Sequence, residues 1–496
     1  MSTFKPSPQQ AQYFNWIENG VGSALLEAVA GSGKTTTLIQ GLIRMSGDVF
    51  FGAYNKKIAE EIQNKTKGLK LTCSLNVSTM HAAGFAIWRR SQRNVQVDGN
   101  KLFNAFSAIA SEEQSEFRGP VCDLVSFAKQ AGFGILVPGT DDDWYDLIDH
   151  FSVECHDQED RVIDLARKTL SKSNSTPGVV DFDDMIYLPL LNRSKPVKEY
   201  DWVLIDEAQD TNATRRALAL LMLKRGGRLV AVGDPHQAIY GFTGADSDAL
   251  ELIASAVSAC RIPLTVSYRC PKKVTELART WVNHIESHPD AKDGLVMSLP
   301  KHDDLYPVVK PGDAILCRFN APIIGMAYKF ISDGIPAKIE GRDIGNGLKA
   351  LARRWKVKSV DKFLDKLDSW REKESTKLRI RQKESLAAAV EDKAKCLGLL
   401  VERVTRINPG VSNVVEALCG EIDKLFGDDV KGNVILLSSV HKSKGREWSR
   451  VFWLQMGEPK WIRKDWEKQC ELNLNYVAAT RAMSELYLVP APPKEK

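Results

Sequence analysis

The sequence predicts an α/β chain built as two parallel-sheet units, each interrupted by a mainly helical stretch. Two patterns and the length carry this expectation. Short, nearly unbroken apolar runs recur, as in strands buried on both faces: Ala24-Leu25-Leu26, Val49-Phe50-Phe51, Trp202 to Ile205 and Arg228 to Val232, then Ala314 to Cys317, Val434 to Leu437 and Val451 to Leu454. Between them the period turns helical and charged, from about Gly84 to Lys195 and again from about Asn346 to Asp429. The chain has 496 residues, too many for one core. The expected organisation is a first core from 1–84 and 196–262 with a helical insertion at 85–195. A second core follows from 263–345 and 430–496, with a reduced helical insertion at 346–429.

Composition narrows the class. Hydrophobic residues make up 43% and charged residues 26%, the balance of a globular protein rather than a disordered one. No apolar run approaches the roughly 20 residues of a membrane span. The polar start, Met1 to Gln12, has no signal-peptide core, so the expected location is cytoplasmic or nucleoid-associated. Nine cysteines without a CxxC pair suit a reducing compartment and argue against a zinc or iron–sulfur site. A net charge of +5 is too mild to prove a polyanionic partner by itself.

The elements follow in order. Ser7-Pro8-Gln9-Gln10 reads as a helix start, with Ser7 as cap and Pro8 in the first turn. Tyr13, Phe14, Trp16 and Ile17 supply that helix's buried face. A polar helix spans Asn55 to Asn64, and Val77-Ser78-Thr79-Met80-His81 reads as a strand end. In the second half Ala314 to Cys317 and Ala337 to Ile339 read as strands around a helix from Ala321 to Ser332. Leu486 to Val489 is a last strand.

The chemistry starts at Ala28-Val29-Ala30-Gly31-Ser32-Gly33-Lys34-Thr35, between a strand and the helical pattern Thr36 to Ile43. That is the order of a phosphate-binding loop, although Ala28 stands where the first glycine is usual. Backbone N–H groups from Ala30 to Thr36 would curl around a polyphosphate, helped by the positive helix end. Lys34 would reach the β- and γ-phosphates, and the Thr35 hydroxyl would help hold Mg²⁺. Leu204-Ile205-Asp206-Glu207-Ala208-Gln209-Asp210 places carboxylates directly after a buried strand. Asp206 there can hold Mg²⁺, and Glu207 can orient or deprotonate an attacking water.

Asp206 to Asp210, followed by Gly233-Asp234-Pro235-His236-Gln237-Ala238-Ile239-Tyr240-Gly241-Phe242-Thr243-Gly244-Ala245, resembles motifs II and III of UvrD/Rep-type superfamily-one DNA helicases. The other motifs stand in the matching order. Gln10 resembles the adenine-reading glutamine, Ala53-Tyr54-Asn55-Lys56 motif Ia and Thr79-Met80-His81 motif Ib. Ser267-Tyr268-Arg269 resembles motif IV, Ser439 to Glu447 motif V and Tyr476 to Ala482 motif VI. The GDPHQ form of motif III and Asn473-Leu474-Asn475-Tyr476 lean towards the F-box-type helicase branch, with no F-box in the chain.

The resemblance implies two RecA-like core domains with ATP and Mg²⁺ between them. It implies that Gln237 senses the γ-phosphate, that Arg269 and Arg481 reach it as arginine fingers, that Tyr268 stacks on adenine and that Glu447 contacts the ribose. Guanidinium suits the finger role because it is always charged and presents a planar fork to phosphate oxygens. On the DNA side the resemblance implies that Asn55, Thr79, His81, His441 and Lys442 line the single-strand path. Phe242 stands where the family usually has a base-stacking tryptophan, and Phe182 in Asp181-Phe182-Asp183-Asp184 is a further stacking candidate. Met80 and Thr243 depart from the family's aromatic and arginine. The charged stretch from Arg353 to Arg381 is interleaved with acids, which favours a solvated helix face over a duplex-DNA patch.

The expected activity is therefore ATP-dependent translocation on single-stranded DNA with 3′→5′ polarity, and unwinding of tailed or forked duplex. The chain is expected to act as a monomer, with replication or repair proteins as further partners. Larger relatives carry a strand-separating hairpin beyond motif VI, where this sequence has one strand and a short tail. Either another element splits the duplex or translocation dominates. The alternative is a DNA-stimulated ATPase that strips or remodels protein–DNA complexes with little unwinding.

Overall fold

The computed structural model of the chain describes residues 4–151, 153, 155, 158–239, 248–380, 384–426, 433–457 and 465–492. It divides into two compact units, Met1–Thr265 and Val266–Lys496.

The first unit is built on six strands: β1 (Ala24–Ala28), β2 (Ser46–Ala53), β3 (Thr72–Thr79), β4 (Tyr200–Ile205), β5 (Leu223–Gly233) and β6 (Cys260–Leu264). They pair in the order β3-β2-β4-β5-β1-β6, and every pairing is parallel. Side chains alternate between the two faces of a strand, and here both faces are covered. Leu26, Phe51, Leu204 and Val232 pack with Tyr13, Phe14 and Leu38 on one side. Leu25, Phe50, Val203 and Ala231 pack with Met80 and Leu218 on the other. This double burial is why the strands read as unbroken apolar runs.

Helix α1 (Pro8–Asn19) starts with a capping box. The Ser7 hydroxyl accepts from the Gln10 N–H, and the Gln10 side chain accepts from the Ser7 N–H. Its other end is clamped by Arg228 of β5. That guanidinium lies between the Trp16 and Trp202 rings, 4.0 and 4.3 Å from their centroids, and donates to the Trp16 and Ile17 carbonyls. With both ends fixed, α1 holds Gln10 at a defined place beside the loop after β1.

Three further helices leave the carboxyl ends of strands: α2 (Lys34–Gly41), α3 (Lys56–Thr66) and α4 (Met80–Ser91). The strand expected to end at His81 stops at Thr79, because the Thr79 hydroxyl accepts from the Ala82 N–H and starts α4. Met80 and His81 thus lie in a first helical turn. The stretch between β3 and β4 carries α5 (Arg118–Ala131), α6 (Glu159–Asn174) and α7 (Asp184–Leu191), among other helices. It also holds a two-residue strand pairing, Gln96–Val97 with Val179–Val180, that no strand rhythm announced. Helix α8 (Ala213–Leu221) follows β4.

A fully buried lysine organises this helical stretch. Lys129 of α5 lies 2.6 Å from an Asp181 oxygen and 2.7 Å from an Asp184 oxygen, and Lys101 lies 2.6 Å from the other Asp184 oxygen. Burial lowers the Lys101 pKa against the pull of Asp184, whereas the two aspartates outweigh burial at Lys129 and raise it.

The second unit repeats the architecture. Its strands β7 (Leu295–Ser298), β8 (Ala314–Cys317), β9 (Ala337–Ile339), β10 (Ile435–Ser439), β11 (Trp448–Gln455) and β12 (Ala482–Pro490) pair in the order β7-β12-β11-β8-β10-β9, again all parallel. Helices α9 (Arg342–Arg354), α10 (Val360–Ile380), α11 (Glu384–Ile407) and α12 (Val414–Phe426) lie between β9 and β10, and α13 (Asp465–Ala479) precedes β12. Strand β7 escaped the sequence reading because it is short and only half-buried, so it lacks the apolar run of its neighbours.

Candidate nucleotide-binding site and nucleic-acid interface

In the first sheet β5 lies between β1 and β4, so the loops after β1 and β4 emerge at the same carboxyl edge. That edge is where parallel α/β sheets bind ligands. In the loop after β1, Gly31 and Gly33 have φ of 74° and 78°, a region that L side chains rarely adopt. Gly33 precedes α2 and offers no side-chain cap, which leaves the first N–H groups of the helix facing outward. The Ser32 hydroxyl is buried and has no hydrogen-bond partner among the described residues. Such an unfilled donor within a ring of amides suits a polyphosphate.

Lys34 is buried, and its Nζ stands 3.9 Å from Glu207 Oε2. The Thr35 hydroxyl donates to Asp206 Oδ2 at 2.6 Å. Asp206 is buried, and that burial with the adjacent Glu207 carboxylate raises its pKa, against the Thr35 hydroxyl and the Lys34 charge. A hydroxyl and a carboxylate so close are hard oxygen donors of the kind Mg²⁺ takes, and a cation there would relieve the crowding of two carboxylates.

Glu207 has a φ of 52°, a left-handed conformation unusual for a residue with a side chain. Its carboxylate accepts from Gln209 Nε2 at 2.6 Å, and Gln209 Oε1 accepts from the Asp234 N–H at 3.1 Å. A Cβ on Gly233 would come within 2.6 Å of Gln209 Oε1, so the glycine is what lets the amide reach this segment. Gln237 Nε2 then donates to Asp234 Oδ2 at 2.7 Å. A continuous line of polar contacts therefore runs from Lys34 through Glu207, Gln209 and Asp234 to Gln237. The sequence reading singled out its ends but missed Gln209 and Asp234 as connectors. Gln10 is also buried. It donates to Thr37 Oγ1 at 2.8 Å, and its Nε2 lies 3.6 Å from where a Gly33 Cβ would stand.

The strand-path candidates of this unit gather at the same edge. Ala53 and Thr79 are register partners at the ends of β2 and β3. Asn55 caps α3 by accepting from the Ile58 N–H, as Thr79 caps α4, so two helix N-termini emerge side by side. His81 is half-buried, and burial with the Arg215 charge lowers its pKa to about 4, which keeps it neutral at pH 7. Phe182 is 63% exposed, although Asp181 and Asp184 on either side are buried in the Lys129 cluster. Phe242, with Tyr240 and Thr243, lies outside the described residues.

In the second unit Arg269 pairs with Glu447, so the expected adenosine-side carboxylate and arginine are in contact with each other. Tyr268 is 43% exposed, its ring tilted against His288 at 4.9 Å. Arg481 is buried. Its Nε donates to the Val477 carbonyl at 2.9 Å and its Nη1 to the Arg446 carbonyl at 3.0 Å. Glu340 at the end of β9 pairs with Arg446 in turn. Two expected finger arginines are thus tied to consecutive residues of one segment, Arg446 and Glu447. Nearby, His441 is half-buried, and burial with Arg318, Lys444 and Lys442 lowers its pKa to about 3, while Lys442 is exposed.

Comparison with known proteins matches these segments to two family descriptions. Residues 8–257 match the UvrD/REP helicase N-terminal domain, and residues 349–491 match the UvrD-like helicase C-terminal domain. Among similar proteins, ATP-dependent DNA helicase Rep of Escherichia coli K12 is 28% identical over 296 residues, 55% of this chain and 42% of the relative. ATP-dependent DNA helicase srs2 of Schizosaccharomyces pombe is 24% identical over 385 residues, 68% of this chain and 42% of the relative. ATP-dependent DNA helicase PcrA of Leuconostoc citreum is 24% identical over 289 residues, 54% of this chain and 38% of the relative. The chain thus spans less than half the length of these relatives. With matches to both parts of the family and a parallel-sheet unit under each, the chain belongs to the UvrD/Rep helicase family.

Proposed function

We propose that the chain is an ATP-dependent DNA helicase that moves along single-stranded DNA in the 3′→5′ direction. The observation that carries this reading is the meeting of Lys34, Thr35, Asp206 and Glu207 at one sheet edge, joined by hydrogen bonds to the Gln237 segment. Lys34 and the amides from Ala30 to Thr36 bind the phosphates of ATP. Thr35 and Asp206 hold Mg²⁺, which supplies charge neutralisation at the phosphates. Glu207 orients the attacking water, its carboxylate held in place by the Gln209 amide. Gln10 and Tyr268 take the adenine, Glu447 the ribose, and Arg269 and Arg481 the charge that develops on the γ-phosphoryl group. Asn55, Thr79, His81, His441 and Lys442 hold the sugar–phosphate backbone, with Phe182 and Phe242 stacking on bases.

Neutral imidazoles at His81 and His441 suit hydrogen bonding without reading sequence, since contacts to phosphate and sugar fix position rather than base identity. The 3′→5′ direction and monomeric action follow from likeness to the family. The test is ATP hydrolysis with and without single-stranded DNA, beside unwinding of 3′- and 5′-tailed duplexes. Stimulation by DNA with unwinding of the 3′-tailed substrate supports the proposal. Stimulation without unwinding would favour a protein-stripping translocase.

A further inference from the structure

We infer that Arg215 binds a backbone phosphate of the single strand, at the junction between the nucleotide site and the strand path. The inference rests on the DNA-binding reading above and adds a residue that neither motif spacing nor resemblance singled out.

Arg215 lies in the first turn of α8, where its own N–H donates to Asn212 Oδ1 at 3.0 Å. Its Nη1 donates to the Asp210 carbonyl at 3.1 Å, which pins the guanidinium to the segment that carries Asp206 and Glu207. Its Nε is buried and has no hydrogen-bond partner among the described residues. Among the described residues no carboxylate oxygen lies within ion-pair distance of it. A buried donor left without an acceptor is costly, and Nε of a guanidinium that is always charged makes a strong bond to an anionic oxygen. A phosphate oxygen would meet that need, since the planar fork matches phosphate geometry.

Its surroundings point to the strand rather than to the nucleotide. Leu218, one turn further along α8, packs in the same core cluster as Met80 of α4 and close to Gly84. That contact sets Arg215 against the start of α4, where its charge reaches the His81 ring, and at the Tyr54 phenol it works against burial and the nearby Asp210 and Glu207 carboxylates. Asn55, Thr79 and His81 carry no charge at pH 7, so Arg215 adds to this group a cation less exposed than Lys56, which follows Asn55 at the start of α3. Because Asp210 lies three residues beyond Glu207, a phosphate on Arg215 would be linked to the hydrolytic segment through a single hydrogen bond.

The test measures binding of a fluorescent oligothymidylate to the full chain across a range of salt, for wild type, Arg215→Gln and Arg215→Lys. Each phosphate neutralised on a single strand contributes about −0.7 to the slope of log K against log salt. Arg215→Gln should therefore weaken binding by about tenfold and make the slope shallower by about 0.7. Arg215→Lys should restore the slope. A weakened affinity with an unchanged slope would overturn the inference, because a purely structural role leaves the number of released ions alone. Should Arg215→Gln unfold, as its melting temperature would show, protection of wild-type Arg215 from phenylglyoxal by bound oligothymidylate decides the matter. Modification at the same rate with and without DNA would overturn it. Wild type that binds no single strand would remove the DNA-binding reading together with this one.

Discussion

Gln209 holds Glu207: its side-chain amide donates to the Glu207 carboxylate at 2.6 Å while its carbonyl oxygen accepts from the Asp234 backbone at 3.1 Å. The amide thus fixes a carboxylate whose own backbone is in a left-handed conformation, and it joins two segments 25 residues apart in the chain. Gln209→Leu keeps the volume but removes both bonds. It should lower kcat for ATP hydrolysis by about a hundredfold, the scale seen when a catalytic group is misplaced by an ångström, with a smaller change in KM. Steady-state kinetics separate the two. A rise in KM at constant kcat would make Gln209 a contributor to binding only.

Arg269 and Arg481 offer a contrast in anchoring. Arg269 is held by the Glu447 carboxylate, whereas buried Arg481 is held by the carbonyls of Val477 and Arg446. Arg269→Ala should lower kcat by about three orders of magnitude. Arg481→Lys keeps the charge but loses the fork that reaches two carbonyls, so it too should slow hydrolysis. Rates near wild type in both variants would remove the finger assignment.

The Lys129 cluster makes a stability prediction. Lys129→Met leaves Asp181 and Asp184 buried with Lys101 alone to balance them, and breaking a buried pair from one side costs about 3–5 kcal/mol. Urea denaturation should show this loss. Because Phe182 stands between those two aspartates, single-strand affinity should fall as well. A stability within about 1 kcal/mol of wild type, the net worth of one hydrogen bond, would show that the cluster is not an anchor.

The two neutral histidines set a pH dependence. His81 and His441 have pKa values lowered to about 4 and about 3 in the fold, against an ordinary value near 6.5. Below about pH 6.5 the unfolded chain binds the proton and the fold does not, so stability present above that value is lost as pH falls. The loss approaches about 1.4 kcal/mol per pH unit for each histidine. Gln at both positions should flatten the denaturation midpoint between pH 6.5 and 5. An equally steep profile in the double variant would place the titrating groups elsewhere.

Much of the fold was legible because it depends on local patterns. Unbroken apolar runs marked β1, β2, β4 and β5, and Gly31 and Gly33 marked the loop. What escaped depends on contacts distant in sequence. Nothing in the spacing of Lys129 from Asp181 says that they meet, and Gln209 looks like an ordinary polar residue until Gly233 lets it approach Asp234. The end of β3 was misplaced by a capping threonine: Thr79 before Met80-His81-Ala82 carries a helix-start signal that the strand rhythm masked. Arg215 had no signal, since its meaning lies in the acceptor that its Nε lacks.

The most direct test of the account is ATP hydrolysis by wild type and Lys34→Ala, each with and without single-stranded DNA. Lys34 is buried beside Glu207 and is the only residue asked to meet the phosphates with a full charge from the loop after β1. Wild type should hydrolyse ATP faster when DNA is added. Lys34→Ala should lose hydrolysis in both conditions while still binding the oligonucleotide. DNA-stimulated hydrolysis near the wild-type rate in Lys34→Ala would contradict the account.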